Sequence, residues 1–122
     1  MPQLKVEGFG TYDVPEGKRL LLAIEDNGVD ILHRCGGHAK CTTCRVEFIE
    51  GEPQQRTVAE FNRLKQDDAL GDFRLSCQCL VEGDMHVKPL KTLSNSNYDD
   101  PGSKPEEEIT PDPEWIPLEA DF

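Results

Sequence analysis

The cysteine pattern constrains this chain more than any other feature of its sequence. Three of the five cysteines, Cys35, Cys41 and Cys44, lie within ten residues, and Cys77 and Cys79 follow more than thirty residues later. An odd number of cysteines does not suit a disulfide framework, and the N-terminus lacks the apolar run of a secretory signal. We therefore expect a reducing compartment, the cytoplasm or an organelle stroma or matrix, where clustered cysteines more often bind metal than pair with each other.

Zinc is one metal that such thiolates hold. Structural zinc sites usually use two close cysteine pairs, and this chain has one Cys-x2-Cys pair, Cys41 and Cys44. The second pair, Cys77 and Cys79, has a single residue between its members, which is tight for one side of a tetrahedral site. A structural zinc module therefore stays open as an alternative.

The Cys41–Cys44 pair also has the spacing of a dithiol redox motif. That chemistry requires the motif at the N-terminus of a helix, whereas residues 45–49 alternate as a strand does. A dithiol redox protein is a second alternative, and the strand pattern counts against it.

A two-iron cluster is larger than one zinc ion, so a loop must wrap around it to reach both irons. Five residues separate Cys35 from Cys41, and two of them are Gly36 and Gly37. Glycine permits unusual φ angles and a close approach of backbone N–H groups to sulfur. The first cysteine spacing therefore suits a loop that surrounds a cluster.

Other polar residues of the cysteine loop invite functional interpretations. A Rieske centre needs two histidine ligands on one iron, but His33 and His38 share one loop and the thiols already suffice, so we predict solvent-exposed histidines. The basic residues Arg34, Lys40 and Arg45 form a docking rim for a partner, raise the reduction potential through their charge, or are ordinary solvated charge.

Periodicity predicts a small α+β domain. Alternating strands and amphipathic helices follow one another along residues 1–91, and residues 57–60 have the spacing of a helix capping box. The predicted elements are a β-hairpin over 4–14, a helix over 18–27, an extended piece over 29–32, a strand over 45–48, a helix over 57–66, and strands over 73–79 and 85–87.

Charge is concentrated in the C-terminal quarter. Residues 1–93 carry a net charge of −3, and residues 94–122 carry −8. This balance excludes nucleic acid as a natural partner, since phosphate binding needs a basic face. The longest apolar runs are too short for a membrane span.

The acidic residues 92–122 form a predicted C-terminal extension separate from the domain at 1–91. Low hydrophobicity, several prolines and high net charge predict a disordered or loosely attached segment. Two alternatives remain open. The extension either folds back onto the body through Trp115, or presents its acidic residues to a basic partner.

The cysteine motifs resemble those of the plant and adrenodoxin superfamily of 2Fe-2S ferredoxins. The motifs are Cys35-Gly-Gly-His-Ala-Lys-Cys41-Thr-Thr-Cys44-Arg-Val and Arg-Leu-Ser-Cys77-Gln, and the resemblance covers residues 3–90. It implies the β-grasp fold, a small mixed sheet packed on a helix. Five residues between the first two cysteines match the adrenodoxin-like and several bacterial ferredoxins, whereas photosynthetic ferredoxins have four.

The resemblance also implies the ligands of one 2Fe-2S cluster per chain. Cys35 and Cys41 would hold one iron, and Cys44 and Cys77 the other, with Cys79 left as a free thiol. The reverse assignment, with Cys79 as ligand and Cys77 spare, stays open.

The implied function is one-electron transfer rather than catalysis, at a potential near roughly −400 mV as in plant-type clusters. Hydroxyls of Thr42, Thr43 and Ser76 and nearby backbone N–H groups would donate hydrogen bonds to sulfur. The implied partners are a ferredoxin reductase-type flavoprotein and an electron-accepting protein, and the carrier itself is expected to be a monomer.

Overall fold

Seven strands and two α-helices are present in the part of the chain that the computed structural model describes, which is residues 1–34, 36, 42–93, 98–99, 102, 104–110 and 112–118. A single 3-10 turn over Ser76–Gln78 adds to them. In chain order the elements are β1 (Gln3–Val6), β2 (Gly10–Asp13), α1 (Leu20–Asp26), β3 (Arg45–Glu50), β4 (Gln55–Thr57), α2 (Val58–Gln66), β5 (Arg74–Leu75), β6 (Met85–Pro89) and β7 (Trp115–Pro117).

Five of the strands form one mixed sheet in the order β2-β1-β6-β3-β5. β1 runs parallel to β6, whereas β1 with β2, β3 with β6 and β3 with β5 are antiparallel. β4 and β7 form a separate antiparallel pair. A mixed sheet combined with two helices confirms the predicted α+β class.

The N-terminal hairpin follows the predicted alternation. Leu4 and Val6 are buried whereas Lys5 is exposed, and Gly8 in the turn has a φ of +85°, which glycine adopts without steric cost. The buried side chains join apolar residues of α1, β3 and β6 in one core. The described cysteines belong to the same buried cluster, so the core reaches the candidate site.

The first helix begins two residues later than the sequence predicts. Arg19 forms a bridge with Leu80, and the Lys18 carbonyl accepts a hydrogen bond from the Val81 N–H at 2.8 Å. The backbone of residues 18–19 is therefore extended against the strand-like segment after the 3-10 turn and cannot join α1. Tertiary pairing overrides the helix propensity of these residues.

The second helix confirms its predicted span and its N-cap. The Thr57 hydroxyl accepts from the Glu60 N–H at 3.1 Å, as a capping residue does. The Glu60 carboxylate instead faces β5, where it accepts from Arg74 Nε and from the Leu75 N–H, both at 2.8 Å. Glu60 thus joins α2 to β5 through a buried ion pair.

The predicted strand over 73–79 is wrong beyond Leu75. β5 contains two residues, and the chain then turns through Ser76–Gln78. The Ser76 N–H and hydroxyl both donate to the Cys44 carbonyl, at 3.2 and 2.8 Å. These two hydrogen bonds replace the next backbone pair between β3 and β5, so β5 ends at Leu75.

The C-terminal segment packs on the body in the part that the structure describes. In the β4–β7 pair, Thr57 lies opposite Trp115, and the Val58 N–H donates to the Glu114 carbonyl at 2.9 Å. Ile109 is buried. The prediction of a disordered tail is wrong for these residues, and the alternative that the extension folds back onto the body is correct for their backbone contacts.

Backbone pairing, rather than burial of the indole, holds β7 in place. Trp115 is still 37% exposed, although it begins the strand. The predicted boundary at residue 91, between the domain and the C-terminal extension, stays a prediction.

Both α-helices are short, with seven residues in α1 and nine in α2. Across the described ranges, none of the helices combines the length and the apolar character needed to cross a membrane.

We predict that Glu60→Gln destabilises the protein by about 3 kcal/mol, because it deprives the buried Arg74 guanidinium of its buried charge partner. For a chain of this size that loss corresponds to a fall of roughly 12 °C in Tm, which circular dichroism measures. Glu50→Gln, at an exposed position, is the matched control. An unchanged Tm for Glu60→Gln would show that the ion pair contributes nothing.

Candidate metal centre

Two of the predicted ligands, Cys44 and Cys77, meet at one end of the β3–β5 pair. Cys44 directly precedes β3, Cys77 lies two residues after β5, and the register places Arg45 opposite Leu75. Because the strands are antiparallel, the start of one lies beside the end of the other. The two hydrogen bonds that Ser76 donates to the Cys44 carbonyl fix this arrangement. Both cysteines are buried.

The other two predicted ligands, Cys35 and Cys41, lie outside the described residues. The ends of their loop are described and lie close together. The Arg34 N–H donates to Thr43 Oγ1 at 3.0 Å, which closes the loop just before its last cysteine. The loop therefore starts and ends beside Cys44.

Gly36 has the conformation that the sequence predicts for the glycines of this loop. Its φ is +73°, in the left-handed region that other residues rarely adopt. Its N–H donates to the His33 carbonyl at 2.8 Å, which closes a tight turn that ends at Gly36. Gly37 lies outside the described residues.

This part of the site fits a 2Fe-2S cluster. Cys44 and Cys77 would supply buried sulfur ligands from two segments that are far apart in the sequence, and the backbone at both is held by hydrogen bonds. Thiolate sulfur is the usual ligand of such clusters. A side-chain donor is also present, because Gln78 Nε2 lies 3.6 Å from Cys77 Sγ.

The Cys41–Cys44 pair does not have the setting of a dithiol redox motif. β3 begins at Arg45, directly after Cys44, and the sequence prediction of a strand here is confirmed. A helix N-terminus would lower the pKa of a thiol in this place, and a strand gives no such field.

Cys79 has the features of a thiol that stays protonated. It is buried, and its Sγ donates to the Leu75 carbonyl at 3.4 Å. Burial raises the pKa of the Cys79 thiol, and the nearby Arg74 guanidinium opposes that rise without cancelling it. A thiol with a raised pKa is a poor ligand and a poor nucleophile at neutral pH.

The hydroxyls predicted to donate to sulfur make other hydrogen bonds. The Ser76 hydroxyl donates to the Cys44 carbonyl, so the prediction is wrong for Ser76. Thr42 Oγ1 accepts from the Arg45 guanidinium, and Thr43 Oγ1 accepts from a backbone N–H. These two threonines fix the loop through the lone pairs of their hydroxyls.

Sequence reasoning missed two buried residues that hold the 3-10 turn over Ser76–Gln78, called the Cys77 turn below. Arg19 is fully buried, and its Nε donates to the Cys77 carbonyl at 2.8 Å while its Nη1 donates to the Glu106 carbonyl at 2.8 Å. Gln78 belongs to no motif, although it adjoins a predicted ligand. Buried polar side chains are paired in proteins, but no local pattern reveals their partners.

The prediction of a solvent-exposed His33 is wrong. The side chain is 1% exposed, and its Nε2 lies 2.7 Å from Glu25 Oε2 of α1. His33 therefore connects the start of the loop to the first helix, and sits in the interior rather than on a ligand-binding edge. His38 lies outside the described residues.

The two described basic residues of the predicted rim differ in role. Arg45 is half-buried, with its guanidinium 4.2 Å from the Phe73 ring centroid and its Nε donating to the Thr42 carbonyl at 2.8 Å. Arg34 is exposed and stacks 4.4 Å from the Tyr98 ring centroid. Arg45 is thus a structural residue, and Lys40 lies outside the described residues.

Comparison with known proteins identifies the same kind of site. The family described as a 2Fe-2S iron-sulfur cluster binding domain matches residues 4–82. A relative named 2Fe-2S ferredoxin, from Haemophilus influenzae, is 39% identical over 70% of this chain and 80% of that protein. A component of the Na(+)-translocating NADH-quinone reductase of Methylococcus capsulatus is 35% identical over 70% of this chain but 21% of its own length.

The chain thus spans about a fifth of the length of the first curated relatives that it matches. Among solved structures, the ISC-like 2Fe-2S ferredoxin FdxB of Pseudomonas putida has a TM-score of 0.61 and 25% sequence identity. The match covers 79% of this chain and 99% of that one. This likeness confirms the predicted β-grasp fold.

We predict that Cys79 in the folded protein reacts with iodoacetamide at least about a hundredfold more slowly than an exposed cysteine, because it is buried and protonated. Mass spectrometry of tryptic peptides measures the labelling. Thr11→Cys, at an exposed position of β2, supplies the reference thiol in the same molecule. Equal labelling of both positions before unfolding would contradict the buried placement.

Proposed function

Because the chain belongs to the family of 2Fe-2S ferredoxin domains, we propose that it carries single electrons from a reductase to an acceptor protein. Members of this family carry one 2Fe-2S cluster, which when bound accepts and returns one electron. The observation that carries the proposal is the meeting of buried Cys44 and Cys77 at the end of the β3–β5 pair.

We propose that Cys35, Cys41, Cys44 and Cys77 hold the cluster and that Cys79 does not. The fixed carbonyls of Cys44 and Cys77 support this assignment, because hydrogen-bonded ligand segments move little. The hydrogen bond from the Cys79 thiol to the Leu75 carbonyl supports its role as a spare thiol.

The residues around these ligands determine how readily the site takes up negative charge. Burial disfavours the more negative, reduced state and lowers the potential, whereas hydrogen-bond donors to sulfur raise it. Cys44 and Cys77 are buried, and Gln78 supplies a donor. We therefore expect a low reduction potential. It should nevertheless be higher than that of the same site without the Gln78 donor.

The proposed partners are a flavoprotein reductase as donor and a second redox protein as acceptor. Support for a reductase comes from the relative in the NADH-quinone reductase, in which the similar stretch is about a fifth of the length. We propose a monomeric protein in a reducing compartment such as the cytoplasm, where cysteine side chains stay reduced.

A docking surface for a basic partner lies beside the Cys77 turn. Glu106, Glu107 and Glu108 are exposed, and the backbone carbonyls of Glu106 and Glu108 accept from Arg19, which also holds the Cys77 carbonyl. The acidic extension is therefore fixed close to a ligand. Opposite charge across such a surface speeds association.

The proposed ligand set predicts which cysteine variants lose the cluster. Serine at position 35, 41, 44 or 77 should abolish or alter the visible absorption and the electron paramagnetic resonance signal of the reduced protein, whereas Cys79→Ser should keep both. Iron and sulfide analysis of the purified protein should give two of each per chain, as in 2Fe-2S clusters.

If Cys79→Ser loses the spectrum and Cys77→Ser keeps it, the ligand assignment is reversed. A colourless protein that contains one zinc ion per chain would overturn the function itself and restore the zinc alternative.

The acidic surface predicts a salt-dependent reaction with a reductase. In a coupled assay with a purified flavoprotein ferredoxin reductase, the triple variant Glu106→Gln, Glu107→Gln, Glu108→Gln should react roughly tenfold more slowly at low salt, since electrostatic steering raises association rates by about this factor or more. The difference should vanish at about 0.5 M salt. Exposed acids remote from the turn, changed in Glu7→Gln and Asp13→Asn, provide the control. Equal rates at low salt would rule out this docking surface.

A further inference from the structure

We propose that the Gln78 side chain is a positioning residue that raises the reduction potential of the centre, and that the C-terminal segment 104–110 holds it in place. The proposal rests on the assignment of Cys77 as a ligand. It gives the C-terminal segment a role at the centre in addition to docking.

The Gln78 amide makes three contacts in the interior. The side chain is 0% exposed, and its Nε2 lies 3.6 Å from Cys77 Sγ and donates to the Thr110 carbonyl at 2.8 Å. Its Oε1 accepts from the Thr57 hydroxyl at 2.7 Å. One amide thus joins the cap of α2, the C-terminal segment and a sulfur ligand.

The partners determine which way the amide points. The Thr110 carbonyl can only accept, so the atom that faces it must be Nε2. Thr57 Oγ1 already accepts from the Glu60 N–H, and its own hydrogen is directed at Gln78 Oε1. Rotating the amide by 180° would lose the bond to Thr110 and place two acceptors against each other. The N–H donor therefore stays on the side of the sulfur.

The C-terminal segment is itself fixed, so the amide cannot follow it away from the sulfur. Arg19 Nη1 donates to the carbonyls of Glu106 and Glu108, at 2.8 and 3.2 Å. Ile109, next to Thr110, is buried. The same Arg19 donates from Nε to the Cys77 carbonyl, which links the segment and the ligand a second time.

A donor in this position favours the reduced state. Reduction adds negative charge that is shared with the sulfur ligands, so an N–H directed at Cys77 Sγ binds more strongly after reduction than before. The buried surroundings strengthen the effect, since low polarity increases the energy of a hydrogen bond. The donor is already in place before the electron arrives, and no rearrangement is needed.

The test is the reduction potential of the full-length, cluster-loaded Gln78→Leu variant, which keeps the side-chain size and removes the donor. We expect the equilibrium constant for reduction to fall by up to about tenfold, which for one electron is a lowering of about 59 mV. Gln66→Leu, at an exposed position of α2, is the matched control and should keep the wild-type potential. A Gln78→Leu potential equal to that of wild type would overturn the proposal.

A second measurement needs no variant and serves if Gln78→Leu fails to fold. Wild-type protein with 15N in its glutamine side-chain amides is reduced and studied by pulsed electron paramagnetic resonance. A 15N coupling to the reduced centre is expected, and its absence would overturn the proposal.

The Cys77→Ser spectrum separates this inference from the ligand assignment. If Cys77→Ser keeps an unchanged spectrum, the assignment of Cys77 fails and the role of Gln78 fails with it. If Cys77→Ser alters the spectrum while Gln78→Leu leaves the potential unchanged, only the role of Gln78 fails.

Discussion

The pairing of β3 with the two-residue strand β5 is the constraint on which the site depends. A strand of two residues has little stability of its own, and here it is held at both ends. The Glu60 carboxylate binds Arg74 and the Leu75 N–H on one side, and Ser76 binds the Cys44 carbonyl on the other. Because these bonds end the strand, the chain enters the 3-10 turn and presents Cys77 beside Cys44.

Local patterns predicted the elements whose stability is local. The hairpin follows from the alternation of Leu4 and Val6 with charged residues, and α2 begins at the Thr57 cap as expected. The cysteine spacing predicted the chemistry for a similar reason, since ligand geometry restricts sequence distance. In these cases the cause lies within a few residues of its effect.

The errors arise where distant parts of the chain decide the outcome. The alternation of apolar side chains predicted a long strand at 73–79. The side chains between them are buried as well, among them Ser76 and Gln78. His33 is buried, and its Nε2 lies 2.7 Å from Glu25 Oε2, eight residues earlier on α1. Neither effect leaves a periodic signal, since the covering groups come from another element.

The C-terminal extension shows why composition misjudged order. Its attachment uses main-chain carbonyls, at Glu106, Thr110 and Glu114, which every sequence possesses. The specific partners, Arg19 and Gln78, lie in the body. A segment of low hydrophobicity can therefore be ordered when the body supplies buried donors for its backbone.

The strand order has a consequence for how the protein is made. β6 lies between β1 and β3, so the sheet closes only after residue 89 has been synthesised, and residues 104–118 are still to come. All five strands of the sheet lie within residues 3–89, so the sheet and the 3-10 turn with Cys77 come earlier in the chain than the segment whose carbonyls accept hydrogen bonds from Arg19 and Gln78.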